Sequence, residues 1–328
     1  MNPTLWYFDA PLVGRVDLPA YFTLLTIGFG LAMLITFRES KRIQLDPQLI
    51  LDANLWMVVW GIIGGRVLHL IADGHVHDYV NLCVNPKLVA AIDPPVAWCA
   101  LRPDGSDPCG PDFLCDAARH VCYPPQDCWA ALEVWRGGLA YYGGFIFAIA
   151  FAAWYIRRHK MPLGRVSDLA APGIACGLFF GRMGCFLNGC CYGKETHSRL
   201  GVVFPGGPGA RFESLAYRAQ LEAHHVTRAQ HAIPVHPTQL YEAIACLAIC
   251  VFLYYFVRPR KRHDGDVIAA FIFLYAVARS LIEFFRDDDR GVFFGGWVST
   301  SQLLSIPLIA LAAYIWLRPR RRGMAAAA

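Results

Sequence analysis

The stretch DVIAAFIFLYAVARSLIEFF, residues 266–285, decides how this chain is read. At about 1.5 Å per residue it is long enough to cross a hydrocarbon core of roughly 30 Å, and it is apolar nearly throughout. Arg279 and Glu283 nevertheless stand near its far end. An ionisable side chain inside a bilayer costs roughly 2.5–3.5 kcal/mol on insertion scales, so it usually marks a site.

Working outward, comparable stretches lie near 18–37, 51–72, 137–156, 166–187, 237–257 and 302–317, the last of them short. The 328 residues are 56% hydrophobic and only 17% charged, which leaves a packed soluble core no serious place. The expectation is an all-α polytopic membrane protein with seven transmembrane helices. Basic residues set its orientation. Arg38, Lys41 and Arg42 follow the first stretch, and Arg157, Arg158, Lys160 and Arg165 lie between the third and fourth. Arg258, Arg260, Lys261 and Arg262 separate the fifth and sixth, and Arg318, Arg320, Arg321 and Arg322 follow the seventh. With seven spans all four clusters share one side, the cytoplasmic one, so the N-terminus is expected outside and the C-terminus inside. The net charge of +5 then calls for no nucleic-acid partner. Residues 1–17 lack a basic segment followed by an apolar run, so no removable signal peptide is expected.

Three parts follow: residues 1–72 with the first two spans, an insertion over 73–135, and 136–328 with spans three to seven and an outer loop at 188–236. The insertion carries Cys83, Cys99, Cys109, Cys115, Cys122 and Cys128 among many Pro, Asp and Gly residues. Six cysteines in a segment assigned outside read as a disulfide-stapled insertion, with 15 possible pairings. A zinc knuckle is the alternative, but the insertion holds no paired C-x-x-C. Cys176, Cys246 and Cys250 lie inside spans and read as small apolar fillers.

The unusual residues share one depth. Arg66 follows Gly64 and Gly65 near the outer end of the second span, and Arg182 lies just inside that of the fourth. Glu242 is a turn or two into the fifth, which begins at His236-Pro237, and Arg286 stands at the mouth of the sixth. Tyr21 and Tyr142 enter near the outer ends of the first and third. All lie within roughly 10 Å of the outer boundary, and no comparable set is expected at the inner end. On one reading these groups simply pair to hold helices together, as Arg279 and Glu283 can, four residues apart on one face. On the other, the three arginines inside the spans, Arg66, Arg182 and Arg279, against two glutamates leave a cationic surplus, and guanidinium geometry matches phosphate in a bidentate way. The surplus favours an anion site, with a lipid headgroup as its candidate. Gly137, Gly138, Gly143, Gly144, Gly181 and Gly184 give backbones room to approach there.

Several of these segments resemble signatures of the prolipoprotein diacylglyceryl transferase family. They are WRGGLAYYGG at 135–144, GRMGCFLNG at 181–189, HPTQLYE at 236–242, RSLIEFFR at 279–286 and Gly64-Gly65-Arg66. The resemblance follows family order and covers most of the chain outside 73–135. It implies seven transmembrane helices in a bacterial inner membrane and a reaction at the outer face. There the diacylglyceryl unit of phosphatidylglycerol moves to the thiol of a lipobox cysteine in a prolipoprotein, releasing glycerol phosphate. On this resemblance Arg182 and Arg279 hold the phosphate and stabilise the charge that develops as it leaves. Glu283, Glu242 and Asn188 orient them, Tyr21, Arg66 and His236 contact substrate, and Arg286 sits near the exit. No metal or other cofactor is expected.

Three positions depart from the family pattern. The residue before Gly143-Gly144 is commonly His, a proposed base, and here it is Tyr142; tyrosine is a weaker base, and as a catalytic candidate Tyr142 would instead donate a hydrogen bond. The usual Asn after the glycine of the fourth-span motif is Cys185. The acidic residue after Asn188-Gly189 is Cys190, followed by Cys191. Structural disulfide pairing is the favoured reading of these cysteines, with a reactive thiol beside the lipid site as the other. A non-catalytic phospholipid-binding protein and a membrane thiol oxidoreductase are the alternative functions. His224, His225 and His231, in the outer loop, read as solvated rather than as a metal patch.

Overall fold

Long apolar runs without a polar backbone partner nearby fold as helices, because only a helix satisfies every peptide group within its own segment. The computed structural model describes residues 4–10, 14–72, 74–89, 114–116, 121–133, 138–210, 212–286, 292–293 and 298–317. Its helices are α1 (Ala20–Arg42), α2 (Pro47–Ala72), α3 (Val76–Val84), α4 (Tyr141–Arg158), α5 (Leu163–Asn188), α6 (Leu215–Glu222) and α7 (Thr238–Phe252). A π-helical segment, Leu253–Val257, extends α7 into the short α8 (Arg258–Arg260); α9 (Asp266–Ile282) and α10 (Thr300–Leu317) follow. Among the described residues three two-stranded antiparallel hairpins accompany them: β1 (Thr4–Ala10) with β2 (Gly14–Pro19) before α1, β3 (Leu114–Asp116) with β4 (Val121–Tyr123) between α3 and α4, and β5 (Val292–Phe293) with β6 (Val298–Ser299) between α9 and α10.

The described chain is therefore mostly helical, and five of its helical segments are long and apolar enough to cross a membrane: α1, α2, α5, Thr238–Arg260 and Asp266–Phe285. Two expected spans fall short by that measure. α4 carries Arg157 and Arg158 in its last turn, and the apolar part of α10 is Ser301–Leu317. Phe22, Leu25, Ile27, Leu31 and Leu34 stand exposed along α1, as do Trp56, Val59, Ile62 and Ile63 along α2. Such a density of exposed apolar side chains suits hydrocarbon, not water.

The chain divides into two units. In the first, residues 1–51 and 161–328, α5 lies along α1 and packs against α7 and α9, while α10 packs on α9. Close approach rests on missing side chains: a Cβ on Gly28 would meet Phe180 Cβ at 2.7 Å, and one on Gly184 would meet the Tyr21 ring at 3.0 Å. Ala171, Ala175, Ile249, Leu253, Val267 and Phe271 form the buried core of the α5–α7–α9 contact. In the second unit, residues 52–160, Gly143 of α4 faces Gly64 of α2 so closely that a Cβ on either would collide with the other's backbone.

Two carboxylates are buried at the end of the first unit that carries the basic segments, which corrects the expectation of no charged set there. Glu39, 3% exposed, accepts hydrogen bonds from the Tyr254 hydroxyl at 2.7 Å, from Arg42 at 3.2 Å and from Arg258. Asp168 of α5 accepts from the backbone N–H groups of Gly265, Val267 and Ile268 at 2.9–3.0 Å and from Lys261 at 3.1 Å. It caps the N-terminus of α9 from a neighbouring helix. These pairs fix which helices are neighbours at that end.

In the insertion Cys83 is bonded to Cys128, and Cys122 is also disulfide-bonded. Cys115 lies opposite Cys122 in the β3–β4 register, while Cys99 and Cys109 fall outside the described residues. The Cys83–Cys128 bridge closes a separation of 45 residues and so restrains the unfolded chain by about 4 kcal/mol. Reduction is expected to speed limited proteolysis between these cysteines by about tenfold or more. Mass mapping of fragments with and without dithiothreitol measures this, and equal cleavage rates would count against the staple.

Candidate active site

The N-terminal end of α1, the C-terminal ends of α5 and α9 and the N-terminal end of α7 meet at the other end of the first unit. Gly189 closes α5 in the left-handed conformation, φ 72°, which a glycine adopts without steric cost. The chain then runs back across α7. The Cys190 carbonyl accepts from Gln239 Nε2 at 2.7 Å, and the Cys191 carbonyl accepts from Thr238 Oγ1 at 2.8 Å. Gly193 bridges to Arg286, and the Lys194 N–H donates to the Phe285 carbonyl at 2.8 Å, tying the end of α9 to the same segment. The rest of the loop folds on itself around Phe204, Ala216 and Tyr217, all buried.

Glu242 is the hub of this end. Its side chain, 1% exposed, has Arg182 Nη2 at 2.9 Å and the Tyr275 hydroxyl at 2.9 Å on Oε1. Arg286, 5% exposed, approaches Oε2 at 3.8 Å, an ion-pair distance beyond hydrogen-bond range. One turn after Tyr275 on the same face of α9, Arg279 donates to Glu283 and, from Nη2, to Ser301 Oγ at 2.8 Å. Among the described residues three guanidiniums and two carboxylates gather here, and a guanidinium fork matches a phosphate.

The other expected site residues of this unit lie at the same end. Tyr21 packs on Gly184 and is within electrostatic range of Arg182. Asn188 is the last residue of α5. His236 Nδ1 is 3.1 Å from the Tyr241 hydroxyl, and its ring lies edge-on to Phe285. Arg66 and Tyr142 belong to the second unit. There the Arg66 guanidinium donates to the carbonyls of Ala130, Ala131 and Gly138 at 2.5–3.0 Å and lies over the Tyr79 ring. Tyr142, 58% exposed, is the second residue of α4. Trp135, Arg136 and Gly137 fall outside the described residues.

The expected pairing of the fourth-span cysteines is not made. Cys185, Cys190 and Cys191 form no disulfide, and their sulfurs lie within 4.8 Å of one another. Cys191 takes the left-handed conformation, φ 61°, which is unusual without glycine and recurs at functional sites. Hydrogen bonds from Cys185 and Cys190, helped by the charges of Arg182 and Arg286, hold its thiol below the usual cysteine range.

Three participants escaped the sequence reading. Tyr275 precedes Arg279 by four residues, so the helical repeat 275, 279, 283 was the available signal. Gln239 lies within the HPTQLYE segment at 236–242, which was the available signal, whereas Ser301 carried none because its partner is remote in sequence.

Buried arginine–carboxylate pairs at one end of several membrane-length helices mark a polytopic membrane protein with a charged site. Residues 117–318 match the family described as prolipoprotein diacylglyceryl transferase. A phosphatidylglycerol--prolipoprotein diacylglyceryl transferase of Psychrobacter arcticus is 34% identical over 320 residues, 95% of this chain and 92% of that protein. One of the same description from Xylella fastidiosa strain 9a5c is 37% identical over 199 residues, 57% of this chain. That match spans 65% of the Xylella protein's length. A third, from Nitratidesulfovibrio vulgaris strain DP4, is 37% identical over 209 residues, 62% of this chain and 68% of that protein. The chain belongs to the prolipoprotein diacylglyceryl transferase family.

Proposed function

We propose that this protein transfers the diacylglyceryl group of phosphatidylglycerol to the lipobox cysteine of prolipoproteins at the outer face of a bacterial inner membrane. The observation that carries this reading is the Glu242 hub, which gathers Arg182 and Arg286 around one buried carboxylate beside the Arg279–Glu283 pair. Family membership favours a transferase over a non-catalytic lipid binder or a thiol oxidoreductase.

In this reading Arg182 and Arg279 receive the phosphate, and their charge stabilises the glycerol phosphate that leaves as the acceptor sulfur attacks carbon. Glu242 and Glu283 keep the two guanidiniums oriented, with Tyr275 steadying Glu242. Tyr21, Asn188 and His236 border the headgroup, and Arg286 stands toward the product exit. Arg66 braces the backbone before α4, and Tyr142 donates a hydrogen bond in place of a base. α4 and α10 complete seven spans, with the N-terminus, the Cys-rich insertion at 73–135 and the loop at 188–236 in the periplasm and the C-terminus in the cytoplasm. The basic clusters on one side support that orientation.

The test is incubation of the purified protein with phosphatidylglycerol and a lipobox peptide, read by mass. A peptide heavier by one diacylglyceryl group is expected. An unmodified peptide, under conditions where a control transferase acts, overturns the reading.

A further inference from the structure

We propose that Cys185, Cys190 and Cys191 form a three-thiolate site for Zn²⁺ whose fourth position takes the acceptor thiol; the role, though not the metal site, rests on the transfer proposed above. The three sulfurs already lie within 4.8 Å of one another. Tetrahedral zinc with bonds of about 2.3 Å needs sulfurs about 3.8 Å apart, so closure by about 1 Å suffices. Soft thiolate ligands select zinc over hard cations. Three protein ligands with one open position is the arrangement of catalytic rather than structural zinc.

The site is built, not incidental. Cys185 sits on the rigid last turns of α5, while Cys190 and Cys191 are held by their carbonyls on Gln239 and Thr238 of α7. Gln239 Oε1 is buried with no hydrogen-bond partner among the described residues, so this short segment retains an acceptor for a ligand's donor. Arg182 and Arg286 stand within electrostatic range of Cys191, which offsets the negative charge that three thiolates and one Zn²⁺ leave behind.

The chemistry supplies a reason. A free cysteine thiol is mostly protonated at neutral pH, whereas a metal-bound thiol is deprotonated outright. The acceptor thiol coordinates zinc and releases its proton to water. Its sulfur then forms the S–C bond to the glycerol carbon as the C–O bond to phosphate breaks. The electron pair leaves with glycerol phosphate, beside Arg182 and Arg279. No oxidant or reductant enters.

Full-length protein purified in detergent without chelator is expected to hold about one zinc per chain by mass spectrometry of the metal. Cys191→Ser should reduce that to near zero, while the Cys176→Ser/Cys250→Ser double variant keeps it. If Cys191→Ser does not fold, wild-type protein gives the same answer: iodoacetamide should spare Cys185, Cys190 and Cys191 until a chelator is added. With Co²⁺ in place of zinc, tetrahedral thiolate absorption should appear and shift when a lipobox peptide binds, but not with its Cys→Ser peptide. Zinc-free protein with all three thiols reduced, or a disulfide among them in protein purified without reductant, overturns the site. Transfer undiminished after complete zinc removal overturns its role and leaves the proposed function standing. Bound zinc with an unmodified peptide overturns that function and leaves the metal site standing.

Discussion

Replacing Arg182 by lysine is expected to lower the turnover of diacylglyceryl transfer at saturating phosphatidylglycerol by about 10²–10³-fold, the usual loss when one charge-stabilising donor is removed. Lysine keeps the charge, so the pairing to Glu242 seen at 2.9 Å can re-form and the protein should melt within a few degrees of wild type. What lysine lacks is the planar fork: one nitrogen of Arg182 is engaged by Glu242, and the others remain for a second oxygen ligand. A point charge cannot serve carboxylate and phosphate at once with the same geometry. Arg279→Lys should behave alike, since Arg279 is shared between Glu283 and Ser301. Initial rates by peptide mass, with melting followed in the same detergent, separate the two effects. Turnover within about tenfold of wild type, with the fold intact, would remove phosphate stabilisation from these residues.

Much of this site was legible because membrane burial makes charge conspicuous. Arg182, Glu242, Arg279 and Glu283 stand out within apolar runs, and the repeat of an α-helix puts 279 and 283 on one face. What those residues touch was legible only within one helix. Glu242 as a shared partner of Arg182 and Arg286 depends on α5, α7 and α9 meeting, which no local pattern encodes. Arg66 shows the same boundary from the other side. Its burial was readable, but its donors meet carbonyls 64 to 72 residues later in the chain. Glu39 and Asp168 were overlooked because each lies beside basic residues that read as a solvated topology signal. In the structure both are buried, and the neighbouring cations are their partners. Disulfide pairing of Cys185, Cys190 and Cys191 was favoured from the oxidising compartment alone. Spacing could not show that α7 holds the two later cysteines by their backbone.

Glu242→Ala is expected to destabilise the protein by about 3–5 kcal/mol, because it leaves Arg182 and Arg286 without their common counter-charge in a buried setting. Tyr275 loses its acceptor as well. Loss of folded protein after detergent extraction, together with a lower melting temperature, measures this. Glu242→Gln is the more discriminating variant. Its amide oxygen can still accept from the Tyr275 hydroxyl and Arg182, so the fold should survive, but one negative charge is lost beside the arginines. An anionic headgroup should therefore stabilise the variant more than it stabilises wild type. The shift in melting temperature on adding phosphatidylglycerol should be larger for Glu242→Gln, and phosphatidylcholine should produce no such difference. Turnover should fall even so, since a ground-state anion held more tightly by misoriented guanidiniums gains nothing in the transition state. An equal response of both proteins to the two lipids would mean that the arginines answer only to their carboxylates and that the headgroup sits elsewhere.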